Sequence, residues 1–224
     1  MNKFILSFLI LVMSYNTHAA FREVWGRYFL VNNIKGDFNL ITNFDMALDT
    51  QKTNLSYWSL RSTIFYLIGK GWFADVGALY RSDFSSNVFN HELRFIGSIH
   101  NVTTVGDFSF RSRLRGEKRW IKKDPFAEFH ANNPFRLRLR LLGQKNHLFD
   151  MQSKFFFYTG PELFIEQNIS RDKKLDLGSV RWWFGLGRVI SKTLAVEIDY
   201  WYRQYVNQTR PNFGSIILRF NQII

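Results

Sequence analysis

Two short runs carry the residues whose types and spacing point to chemistry: Arg111, Arg113 and Arg115, then Arg136, Arg138 and Arg140, each arginine separated from the next by one uncharged residue. Arg203 repeats the placement further along the chain. A guanidinium is always charged and offers five N–H donors in a fixed fork, so such rows either select anions or neutralise carboxylates. Carboxylates with matching spacing occur at Glu92, Glu162, Glu166, Glu197 and Asp199. Residues two or four apart on a strand share a face roughly 7 to 13 Å apart along the axis, a range open to paired acids in catalysis. The counterion role weighs more heavily, because an uncompensated charge in an interior costs several kcal/mol.

Other chemistries find no foothold. His91-Glu92 lacks the second histidine of a zinc-protease helix, no glycine-rich phosphate loop occurs, and there is no cysteine for a structural zinc cluster. Outer-membrane lipid A deacylases place a serine just after a histidine on a strand, and His91, His100, His130 and His147 have no such neighbour. The expectation is a chain with no catalytic residue, metal or cofactor.

The elements that position the arginines are written in the alternation. In 135–141 a strand puts Phe135, Leu137, Leu139 and Leu141 on one face and Arg136, Arg138 and Arg140 on the other. The same code sets Phe108, Phe110 and Leu114 against Arg111, Arg113 and Arg115, and Leu194, Val196, Ile198, Tyr200 and Tyr202 against Glu197, Asp199, Trp201 and Arg203. Repeated segments of about ten residues, apolar on one face and charged on the other, are the signature of a transmembrane β-barrel with a wet interior.

The N-terminus agrees. Lys3, the apolar stretch 4–13 and the small residues ending at Ala19 and Ala20 read as a cleaved signal peptide over 1–20, leaving 21–224 as one outer-membrane β-barrel. No later stretch supplies the roughly 18 to 20 uninterrupted apolar residues of a membrane helix. A net charge of +12 would suit nucleic acid, but export argues against that partner. Aromatics at 18% suit the interface belts of a barrel.

Following the parity from Phe38 to Phe220 gives ten antiparallel strands, with 22–31 as a weaker eleventh candidate. Since bacterial single-chain barrels have even strand numbers, the expectation is ten, or twelve if Gly160-Pro161 is a turn, with both termini periplasmic. Unbroken parity from Phe149 to Gln167 favours one strand through Gly160-Pro161. Short turns are expected near Gly69-Lys70-Gly71, 101–106, 143–146 and Ser191-Lys192, and longer external connections near 49–56, 82–90, 117–133, 167–177 and 205–212.

The Arg-rich hairpin over 111–140, Pro161-Glu162-Leu163-Phe164, the 186–203 hairpin with Leu194-Ala195-Val196-Glu197 and the closing Ile216-Ile217-Leu218-Arg219-Phe220 resemble the small outer-membrane barrels of the domain of unknown function 2490 family. The resemblance covers most of the mature chain and implies a bacterial outer-membrane location, but no reaction or ligand. The chain departs from the usual barrel ending, since Asn221-Gln222-Ile223-Ile224 follow the final aromatic that barrel-assembly machinery reads. In charge placement alone the chain is also similar to narrow basic porins that import acidic oligosaccharides.

Two functional readings follow. The arginines line a narrow channel for small anionic solutes, as rings of Arg and Lys do in anion pores, or they form an interior ladder with Glu92, Glu162, Glu166, Glu197 and Asp199 in an envelope structural barrel too narrow to conduct. The alternative from another class is a lipid-modifying outer-membrane enzyme, which needs a Ser, His or Asp cluster at the outer rim. Lys118, Arg119, Lys122 and Lys123 are expected in a loop, solvated or in contact with the phosphates of lipopolysaccharide in the surrounding outer-membrane lipid.

Overall fold

The computed structural model describes residues 21–50, 54–84, 90–122, 135–148, 154–167, 175–206 and 212–223. The leader expected over 1–20 lies outside them, as do Lys123, His130, Phe149 and Met151. Eleven strands run in order: β1 (Phe21–Lys35), β2 (Phe38–Asp49), β3 (Asn54–Gly69), β4 (Trp72–Asp83), β5 (Asn90–Val105), β6 (Phe108–Lys122), β7 (Phe135–Lys145), β8 (Phe155–Gln167), β9 (Leu175–Val189), β10 (Leu194–Tyr205) and β11 (Phe213–Ile223). Each pairs antiparallel with its sequence neighbours, and β1 closes against β11 into a barrel. Closure pairs the backbone groups that an open sheet leaves at its edges.

The even count is corrected to eleven. Residues 22–31 belong to a full strand, β1, whose closing partner β11 runs parallel to it, with Trp25 opposite Ile217 and Tyr28 opposite Phe220. A parallel seam satisfies the same backbone groups as an antiparallel one, so nothing physical demands an even number. The expectation of both termini at one end falls with it. β1 starts at the end carrying the long connections, and β11 finishes at the end of the short turns.

Gly160-Pro161 lies inside β8 and is not a turn. Proline has no N–H for a sheet ladder, and the β7–β8 pairing skips from Arg140–Glu162 to Gly143–Thr159. A Cβ on Gly160 would lie 2.0 Å from the Leu141 carbonyl oxygen, so only glycine lets the two backbones approach here. Three expected boundaries also move: β5 continues to Val105, β6 to Lys122, and β7 to Lys145 through the turn expected at 143–146. Lys118, Arg119 and Lys122 therefore stand on a strand, not in a loop.

The alternation sorts the chain into a wall with two chemistries. Leu60, Ile64, Val76, Phe95, Ile99, Leu114, Leu141, Ile198 and Leu218 are exposed on the outside. Trp25, Tyr57, Trp183, Trp201 and Ile217 are buried inside among the charged residues. Aromatic rings cover glycines on the wall, as Tyr158 does over Gly185 and Phe156 over Gly187, where a Cβ would come 2.2 Å from each ring. At the short-turn end Lys145 Nζ donates to Asp107 Oδ2 at 2.8 Å, tying the β5–β6 turn to β7 and holding the Asp107 carboxyl below its usual range. Among the described residues no helix is long and apolar enough to cross a membrane.

Candidate functional site: the arginine-lined lumen

Register brings the two arginine rows face to face. Arg113 lies opposite Arg140 and Arg115 opposite Arg138 across the β6–β7 ladder. Like charges directly opposite repel, so the pairing stands only with counterions in reach. Two fully buried carboxylates provide them. Glu162 Oε1 accepts from Arg113 Nη2 at 2.7 Å and Arg138 Nη2 at 2.9 Å, while its Oε2 accepts from Trp183 Nε1 at 3.1 Å and has Arg181 Nη1 at 3.6 Å. Glu117 takes Arg138 Nη1 at 2.8 Å, with Arg94, Arg136 and Arg115 at 3.5, 3.7 and 3.9 Å.

Smaller groups complete the interior. Glu92 accepts from Arg94 at 2.6 Å and from Arg119, and Glu166 sits 2.6 Å from Arg136 and 3.7 Å from Arg203. Arg219 donates to Glu197 at 2.9 Å and to Asp199, which also share the Tyr158 hydroxyl as a donor. Arg27 donates to Asp45 at 2.5 and 3.1 Å. Asp75 bonds His100 at 2.5 Å and Ser98 at 3.0 Å, and Arg115 Nε donates to Ser98 at 3.0 Å. The Phe164 ring is ringed by guanidiniums, with Arg203, Arg138 and Arg181 at 4.5, 4.7 and 4.8 Å from its centroid.

Each arginine and carboxylate expected in the lumen thus lies on the inner face, and the same-face acids Glu162 and Glu166, and Glu197 and Asp199, are held by arginines. The lumen also holds Glu117, Arg27, Asp45, Arg61, Asp75, Arg94, Arg181 and Arg219, which the sequence reading did not single out as lumen residues. For Glu117 the signal was present, since the parity of Arg111, Arg113 and Arg115 continues to it. Arg27 was hidden by the weakness of its strand.

Two of the cavities formed by the described residues open on the lumen. Among the described residues the larger, about 680 Å³, is lined by thirteen arginines and six carboxylates. Counting Glu162, Glu166, Glu197 and Asp199 as well, cations still exceed carboxylates. The smaller, about 420 Å³, lies toward the short turns and includes Arg111. Phe65, His100, Arg113 and Arg140 line both and form the neck between them. Arg61, Arg111 and Arg140 make no ion pair with any described carboxylate; Arg61 instead donates to the Asn43 side-chain oxygen. Among the described residues no group of three His, Asp or Glu side chains is gathered to hold a metal.

No curated protein matches the chain. A family model, described as protein of unknown function (DUF2490), matches residues 22–214, a span from the start of β1 into β11. An eleven-stranded barrel with an arginine-rich interior is therefore the form that the DUF2490 family, to which this chain belongs, takes here.

Proposed function

We propose that the chain is a bacterial outer-membrane barrel whose lumen passes small anionic solutes, with the long connections outside and the short turns in the periplasm. The exposed apolar belt suits lipid. The observation that carries the reading is the 680 Å³ cavity with thirteen arginines against six carboxylates, a field that raises the local concentration of anions. Single-channel recording tests it. The purified protein should give anion-selective currents, and the selectivity should shrink between 0.1 M and 1 M salt as the Debye length falls from about 10 Å to about 3 Å. A silent wild type overturns the reading.

A second reading, an envelope structural barrel, is favoured by Glu117 and Glu162, which gather arginines from β5, β6, β7 and β9 and fill mid-lumen space. It expects a stable barrel without current. The lipid-modifying enzyme has the least support. His91 stands opposite Ser82 near the rim, but its Nδ1 is engaged by the Tyr80 hydroxyl at 2.7 Å, and Ser82 makes no hydrogen bond to it.

A further inference from the structure

We infer that the neck between the two cavities is a binding site for a phosphate-type dianion, either inorganic phosphate or the terminal phosphoryl group of a small solute. This rests on the lumen being open to solutes, as proposed above. Arg140 is the first observation. It faces Arg113 on one side and Glu162 on the other, so register offers it a counterion. Yet both oxygens of Glu162 are already engaged, one by Arg113 and Arg138 and the other by Trp183 and Arg181. Arg140 is left lining both cavities without an ion pair.

Arg111 is the second. It lines the same lower cavity and likewise has no carboxylate partner, because Glu197 is occupied by Arg219, Tyr158 and Asn221. Two uncompensated guanidiniums beside a third at Arg113 therefore converge on about 420 Å³, backed by the Phe65 and Phe73 rings with centroids 5.0 Å apart. Arg140 is partly withdrawn from bulk water and lacks a partner, Arg111 is exposed at the cavity and free to turn toward an anion, and the planar fork of arginine matches phosphate oxygens two at a time. Two free positive charges match a dianion. The apolar wall leaves room beside the anion for a small organic group.

Calorimetric titration of the detergent-purified full chain with inorganic phosphate tests the site. Wild type should bind saturably, and Arg140→Gln and Arg111→Gln should each weaken binding at least about tenfold, the loss of one charge-assisted hydrogen bond. Arg61→Gln removes an arginine that also lacks an ion pair but is held by Asn43 and lines only the larger cavity, and should leave the affinity unchanged. If Arg140→Gln does not fold, Arg111→Gln decides alone, since its exposed, unpaired side chain holds nothing together. Absence of saturable phosphate binding, equal loss in all three variants, or binding seen only with micelles containing anionic phospholipid would overturn the site. Recording from the same preparation separates the two ideas: anion currents without phosphate binding remove the site alone, and phosphate binding in a silent barrel removes the transport reading alone.

Discussion

Glu162 shows how much one side chain can be asked to hold in a wet interior. Its carboxylate is fully buried and is approached by arginines from three other strands, β6, β7 and β9. Glu162→Gln keeps the shape but leaves Arg113 without an acid, and breaking a buried pair in this way costs about 3 to 5 kcal/mol. Glu166, with a side chain 35% exposed, also pairs with arginine, but Glu166→Gln should cost about 1 kcal/mol or less because solvent screens it. Urea unfolding of the two variants checks this, and equal midpoints would mean that the interior is as solvated at Glu162 as at the rim. Parity was enough to find Glu162 in the sequence. It could not show that Glu162 is saturated, because that depends on which arginines of β6, β7 and β9 turn toward it.

At the scale of the strands, alternation revealed which way each residue faces far better than where each strand ends. Facing depends on a period of two that survives any shift of a boundary by two residues. The ends of β5 and β6 depend on pairing with a partner strand, which carried both past residues that read as turn or loop. β1 was harder to recognise for the same reason, since its partner lies at the far end of the chain. The seam can be tested directly because the protein has no cysteine of its own. Val24 and Ile216 are register partners, and adjacent strands lie about 4.8 Å apart, within disulfide reach. The Val24→Cys, Ile216→Cys variant should cross-link on oxidation, while Val24→Cys with Leu218→Cys, two residues out of register, should not. Cross-linking of the second pair in preference to the first would show that the barrel closes differently.

For the whole molecule, the odd count matters more than the number itself. With the orientation proposed, an epitope fused directly ahead of Phe21 should be reached by antibody on intact cells, and one placed after Ile223 only after the cells are permeabilised. Labelling of both, or of neither, on intact cells would refute the arrangement. The closed sheet was legible in the repeated ten-residue pattern, whereas the direction of closure was not, because a strand's alternation reads the same in either direction. The parallel seam also removes a freedom that even-numbered barrels possess. Where first and last strands are antiparallel, their ends meet and a few residues can join them into a circular permutant. Here the start of β1 and the end of β11 are separated by the height of the wall, so a joining segment has to pass down the lumen or along the outer face. In that sense the chain has one admissible starting point, fixed by geometry, and a permuted gene with a short joint would encode a sheet that cannot close.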